Sequence, residues 1–474
     1  MTDRTALLDA LTAALGEAAV ARDPATVSRS LKDNSWLSPI LSEHFGQRRD
    51  DEGIVADAVV TPASVDGLRS IIALAVRHDT PMTLRGGGTT NFGQSLPLHG
   101  GIVIDVRRLN RIVSLTDTSA TAEGGALQGD VDKAARERGR EMTILPTTYA
   151  SATLAGWVAG GHLGLGGTSY GTTWDGNVLG VKLLTAEEEP REIVLEGDAV
   201  YPVLRTYGTT GVITEVTVPL VPARAWLEAV VVFDEFEPAA RFVQALASRS
   251  DVVQRSVAAQ EAPLAASFTP IKHLYRDGQA VVPAIFDAAR ESEVRQIAEQ
   301  FSGTFHTWKV TGDGGRFPLG YMSYGHRMLW VKKVAPPAAF LNCYGLPDTV
   351  FEQFRALKER FGDDIWLELK YNRSPWLREL RGLPPGDGLL PAPLLTLVPG
   401  DRAFVETVMA FCDTIGVTYQ NPHTFAIEES GVFPDVERIV RFAREVDPKG
   451  LLNPGKLGGT FFETRTGKTG AGAR

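Results

Sequence analysis

Between residues 58 and 105 the rhythm of apolar positions changes repeatedly. Ala58-Val59-Val60 is a short continuous apolar run and predicts a strand. Ser64 followed by Asp66 is a helix-start signal, and Val65, Leu68, Ile72, Ala75 and Val76 then recur at helical spacing. His78-Asp79-Thr80-Pro81 stops that helix. Met82-Thr83-Leu84 and Ile102-Val103-Ile104-Asp105 predict two further strands, with the run RGGGTTNFGQ (85–94) in the loop between them. Farther on, residues 112–115 and 121–123 read as strands and 127–138 as a helix ended by Gly139. Residues 178–184 and 192–195 read as a hairpin around the solvated turn Glu187-Glu188-Glu189-Pro190. A helix ending near Tyr207 leads through Gly208-Thr209-Thr210-Gly211 to a strand over 212–220. The first twenty residues alternate polar with apolar as an amphipathic helix, and a polar connector follows to near Asp57.

Composition narrows the class. At 474 residues the chain exceeds the size at which a single core keeps growing, so two domains are expected. Apolar residues at 43% and charged residues at 22% are ordinary for a globular protein. A formal charge of −9 argues against nucleic acid as a standing partner, and no apolar run reaches the roughly 18 residues of a membrane span. Cys343 and Cys412 give neither a disulfide framework nor zinc spacing, which points to a reducing, cytoplasmic setting. With 48 glycines the chain is richer in this residue than usual, and the excess falls mainly between residues 85 and 211. The tail 467–474 is of low complexity and is expected to fray; its Gly-Lys-Thr lacks the rest of a phosphate-loop motif. No HExxH, GxSxG, CxxC or DxDxDG pattern occurs, so no metal site is expected.

The glycine loops carry the chemistry. Residues 85–94 are followed by a strand, not a helix, and Asn91 stands where a third glycine of a dinucleotide fingerprint would be, so a nicotinamide-type Rossmann reading fails. Glycine-rich backbone can aim successive N–H groups at one anion, and this loop suits a pyrophosphate. The second segment, PTTYASATLAGWVAGGHLGLGGTSYG (146–171), interleaves Thr147, Thr148, Ser151 and Thr153 with small residues and suits a flat polar ring. One such loop reads equally as a tight turn; two in one unit, with a third at Tyr207–Gly211, point to a ligand.

Residues 55–222 resemble the FAD-binding domain of the vanillyl-alcohol oxidase family, the PCMH-type fold of FAD-linked oxidases. LRGGGTTNFGQ (84–94), PTTYASATLAGWVAGGHLGLGGTSYGTTWDGNVLGVKLL (146–184), YGTTGVITEVTVPL (207–220) and DPKGLLNPGKL (447–457) carry the likeness. It implies an α+β protein: a helical segment (1–54), a two-part PCMH-type FAD-binding domain (55–222), a central substrate domain (223–440) with an antiparallel sheet flanked by helices, and a C-terminal return (441–474). It implies a pyrophosphate held by Arg85, Gly86, Gly87, Gly88, Thr89, Thr90, Asn91, Gly93 and Gln94. The flavin ring and ribityl chain would lie on Pro146, Thr147, Thr148, Ser151, Thr153, Gly156, Gly160 and Gly161, with His162 beside them. The adenine end would meet Gly211, Val212 and Ile213, and Asn453 and Lys456 would fold back toward the flavin. Thr89 stands where many relatives carry a flavin-linking histidine, and the second loop holds no cysteine, so noncovalent FAD is expected. Ser95 falls near a position that governs oxygen access in some relatives.

Proton-handling groups are expected in the central region. Read as a strand, residues 321–327 place Tyr324 and His326 on one face. Tyr419, Asn421 and His423 share a period-two face just before the chain returns to the flavin unit, whereas Glu368 and Lys370 read as an ordinary exposed strand face. The expected activity is hydride transfer from an alcohol, hydroxy acid or amine carbon to flavin N5, with oxygen or another carrier as acceptor. Alternatives are a tailoring oxidase of secondary metabolism, an NADPH-dependent flavin reductase and a non-redox flavin-assisted synthase. A small-molecule substrate is the expected partner, and a homodimer is compatible.

Overall fold

The computed structural model describes residues 4–50, 54–161, 163–313, 316–433 and 435–458. Ser64 accepts a hydrogen bond from Gly67 N (3.1 Å) and opens the helix Val65–Arg77. Its buried side, Leu68, Ile71, Ile72, Ala75 and Val76, packs on a four-stranded sheet ordered Val20–Ala21, Ala58–Val60, Ile102–Asp105, Met82–Arg85. Ile102–Asp105 runs parallel to both of its neighbours, so the chain crosses between parallel strands by the glycine loop alone, with no helix. A second, antiparallel sheet is built on the long strand Val212–Pro222, flanked by Ser119–Glu123 and Gly180–Leu184. The hairpin of Gly180–Leu184 with Glu192–Glu196 forms as its pattern predicts.

The third sheet decides where the chemistry sits. Among the described residues nine strands join it, running from Thr304–Val310 at one edge to Thr418–Gln420 at the other. Helices Phe236–Ala247, Glu291–Gln300, Val350–Phe361 and Arg402–Thr414 cover one face, which contributes Leu341, Cys343, Leu367, Leu369, Leu395, Leu397 and Tyr419 to the core. Because side chains alternate along a strand, the opposite face receives Phe340, Asn342, Tyr344, Glu368, Lys370 and Gln420. The architecture is α+β. No helix among the described residues is long and apolar enough to cross a membrane.

Three expectations are corrected. The stretch expected to be a polar connector contains helices Pro24–Ser30 and Pro39–Asp50, started by caps such as Asp23, and Leu41 and Phe45 are buried against Leu96, Leu98 and Phe425. Residues 321–327 are not a strand: the 3-10 turns Leu319–Met322 and Tyr324–His326 run into the helix Arg327–Val334. Tyr324 takes a left-handed φ of 52°, which no strand tolerates, and Met328 and Val331 pull the segment into the core as a helix. Glu368 and Lys370 are not exposed; they are 0% and 5% accessible. The tail 467–474 lies outside the described residues.

Candidate active site

A cleft of about 1010 Å³ opens where the loop after Met82–Arg85 meets the segment leading into the helix Leu154–Gly160. Its walls come from residues 84–91, 94–95, 146–161 and 207–213, and none of the residues lining it is acidic. The two glycine loops touch: a Cβ on Gly87 would lie 1.9 Å from Ser151 O, and one on Gly86 2.1 Å from Thr153 Oγ1. Glycine is therefore needed for loop-to-loop approach as well as for exposing main-chain N–H groups. Gly88 and Gly211 take φ of +64° and +106°, conformations that L side chains resist. Thr153 caps the helix by accepting from Gly156 N (3.2 Å). A long glycine-walled cleft without carboxylates suits an anionic dinucleotide.

Of the residues expected to hold the cofactor, Arg85, Gly86, Gly87, Gly88, Thr89, Thr90, Asn91 and Gln94 line this cleft. Pro146, Thr148, Thr153, Gly156, Gly160, Gly161, Gly211 and Ile213 line it too. Arg85 turns its guanidinium away to the Ser30 and Lys32 carbonyls (3.1 and 2.8 Å). Gly93, Thr147, Ser151, Val212, Asn453 and Lys456 do not border it. Val212 is a core strand residue, and Ser151 meets Gly87 through its carbonyl. Asn453 Nδ2 donates to the Gln94 and Tyr207 carbonyls (2.7 and 2.6 Å), and buried Lys456 donates to the Gly93 carbonyl. These two residues thus hold the loops that form the walls. His162 lies outside the described residues. Trp157, Tyr207 and Val106 also line the cleft. Trp157 and Tyr207 fall within the glycine-rich stretches singled out in the sequence, whereas Val106 reads there as core with no signal to mark it.

A second cavity, of about 660 Å³, shares Asn91, Gly160 and Gly161 with the cleft. Its other side is the polar face of the large sheet: Phe340, Asn342, Tyr344, Lys370 and Gln420, closed by Tyr324. Lys370 Nζ donates to Glu368 Oε1 (2.7 Å), and Arg327 Nε lies 3.0 Å from Glu368 Oε2. All three are buried, so one carboxylate lies between two basic side chains. Burial pushes the Glu368 carboxyl up, but Lys370 and Arg327 outweigh it and hold it below the usual range. Burial lowers Lys370, with Glu368 opposing. Burial raises Tyr324 well above an ordinary phenol, so its hydroxyl keeps its proton at neutral pH. Gln420 is buried with both amide atoms unpaired among the described residues.

The other candidates fall elsewhere. Tyr419 points to the helical face and packs in the core, because the strand registers Gln420 against Asn342 and Tyr419 against Cys343. The expected period-two face was off by one residue. His423 is a buried structural residue: Nε2 is 2.9 Å from the Phe340 carbonyl and Nδ1 is 2.6 Å from Ser38 Oγ. Burial lowers its pKa to about 3, so it stays neutral. Asn421 accepts from the His423 backbone N–H (2.9 Å) and shapes that turn. His326 packs edge-on against Tyr321 at 5.2 Å and does not line the second cavity, and burial lowers its pKa.

Comparison with known proteins gives the cleft its occupant. Residues 56–193 match the FAD binding domain family. This region is an FAD-binding domain. The chain is 29% identical over 178 residues to the glycolate oxidase subunit GlcD of Bacillus subtilis, covering 35% of this chain and 37% of that protein. It is 32% identical over 136 residues to the alkyldihydroxyacetonephosphate synthase of Trypanosoma brucei brucei, covering 27% of this chain and 22% of that one. Thus the match spans only 37% and 22% of the length of these two relatives. An alignment to the D-lactate dehydrogenase of Archaeoglobus fulgidus runs over 84% of this chain and 90% of that protein at 21% identity. A solved alkyldihydroxyacetonephosphate synthase shares the fold, with TM-score 0.67 and 14% identity over 95% of this chain and 84% of that one. FAD is accordingly the cofactor that the cleft residues would hold.

Proposed function

We propose that the chain is an FAD-dependent oxidoreductase that oxidises a small organic anion, with a 2-hydroxy acid the favoured class. The observation that carries this reading is Lys370, which lines a cavity opening onto the FAD cleft and, with Arg327, shares the single buried carboxylate of Glu368. When bound, the flavin supplies a hydride acceptor at N5. Lys370 Nζ is the anchor for a substrate carboxylate, and Glu368 and Arg327 fix where that ammonium points. Tyr324, protonated at neutral pH, presents its hydroxyl as a hydrogen-bond partner for the substrate oxygen, and the Gln420 amide offers one donor and one acceptor more. Phe92, Phe340 and Tyr344 give the cavity apolar walls that exclude water. The likeness to a glycolate oxidase subunit and a D-lactate dehydrogenase supports the same class. In this reading FAD is noncovalent, residues 55–222 are the cofactor unit and 223–440 the substrate unit. The test is anaerobic mixing of FAD-loaded protein with a panel of 2-hydroxy acids, their uncharged esters, neutral alcohols and amines. Bleaching of the flavin by hydroxy acids, and not by the matching esters, is the expected result. Equal bleaching by acid and ester, or by amines alone, would remove the anion from the proposal.

A further inference from the structure

Arg205 is wholly buried, and among the described residues none of Nε, Nη1 and Nη2 has a hydrogen-bond partner. Its guanidinium carbon lies 5.5 Å from the Phe92 ring centroid, 5.9 Å from Tyr207 and 6.0 Å from Phe433. The groups acting on its charge are the phenols Tyr207 and Tyr344, and no carboxylate offsets the burial that disfavours that charge. An arginine keeps its proton even so, and folded proteins rarely leave such a cation unpaired.

The backbone is bent to put it there. Arg205 and Tyr207 take φ of 59° and 56°, left-handed values that are costly for side chains of this size. Arg205 N donates to Val158 O and Tyr207 N to Ala159 O, both at 2.7 Å, clipping this turn to the helix Leu154–Gly160 just before Gly160 and Gly161. Those two glycines are where the FAD cleft and the second cavity meet. Tyr207 lines the cleft, and Phe92 and Tyr344 line the cavity. The guanidinium therefore stands behind the wall common to both, at the end of the cleft that faces substrate.

We propose that Arg205 is an electrostatic positioning residue that stabilises the reduced flavin; this rests on the FAD reading above. Accepting a hydride brings two electrons and one proton to the ring system and leaves one net negative charge on it when no second proton is taken up. A fixed cation in a dry, low-dielectric wall lowers the energy of that charge without reorganising. Among the groups acting on Arg205 there is no carboxylate to cancel its field toward the ring.

The experiment compares the flavin midpoint potential in FAD-loaded wild type, Arg205→Met and Arg205→Lys, with thermal melting alongside. Arg205→Met shifts the equilibrium at least tenfold toward oxidised flavin, about 30 mV for a two-electron couple, and Arg205→Lys restores most of it. Melting of Arg205→Met stays at or above wild type, because an unpaired buried charge has been removed. If Arg205→Met does not fold, Arg205→Gln is read in the same way. A yellow variant with an unchanged potential overturns the inference and leaves the function reading standing. A wild-type protein that takes up no FAD overturns both.

Discussion

At the scale of single residues, the chain separates histidines and lysines that look alike in sequence. Burial keeps His423 neutral, and in that form Nε2–H donates to the Phe340 carbonyl while Nδ1 accepts from Ser38 Oγ. Its folded pKa, near 3, lies below the ordinary 6.5, so its contribution to stability is complete above about 6.5 and is lost as the pH falls toward 3. The loss amounts to as much as about 1.4 kcal/mol per pH unit. Melting curves between pH 7 and pH 4.5 will show a shallower acid slope for His423→Gln than for wild type. Lys370 behaves oppositely: it must be protonated to hold an anion, and burial lowers its pKa, so substrate binding weakens as the pH rises and does so below the range of a free lysine. Lys370→Met is expected to raise KM for a hydroxy acid at least tenfold with a smaller change in kcat, and to abolish the alkaline rise in KM. An unaltered KM would displace Lys370 from the site.

At the scale of elements, much of the FAD-binding region was legible and the substrate side was not. Strand, Ser64-capped helix, strand, glycine loop, strand is a local pattern: each step is set by residues within a few positions of one another, and the structure follows it. The large sheet is different. Whether Gln420 or Tyr419 faces the second cavity depends on the partner strand Ala339–Tyr344, about eighty residues earlier, and a one-residue change of register exchanges the two faces. Glu368 and Lys370 read as exposed because charge usually means solvent; their partner Arg327 belongs to a helix some forty residues away. At the glycine loops the prediction is direct. Gly87→Ala puts a Cβ into the Ser151 carbonyl, which cannot move without parting the loops. FAD affinity should fall at least tenfold in a titration while far-ultraviolet dichroism stays at wild type.

At the scale of the whole molecule, the C-terminal return ties together elements distant in sequence. Leu452 bridges to Met82, and Asn453 then joins the carbonyls of Gln94 and Tyr207, one from each of two walls of the cleft. Asn453→Ala leaves two buried carbonyls unpaired and should cost about 2–4 kcal/mol in denaturant unfolding. It should also weaken FAD retention, although Asn453 itself does not border the cleft. A loss of stability with undiminished FAD affinity would show that the return supports the core and not the cleft. The same organisation explains how a chain with a net charge of −9 can hold an anionic cofactor and, in the proposed function, an anionic substrate. Local main-chain N–H groups and the buried Lys370 side chain act at contact distance, where the surface charge is screened.

The central claim is that glycine-freed main chain holds FAD reversibly. Stripping the protein of flavin and titrating FAD back tests it most directly. The account predicts saturable one-to-one uptake, with the yellow colour passing wholly into the supernatant when the complex is precipitated with acid. Colour retained in the pellet, or a folded protein that takes up no FAD, would contradict it.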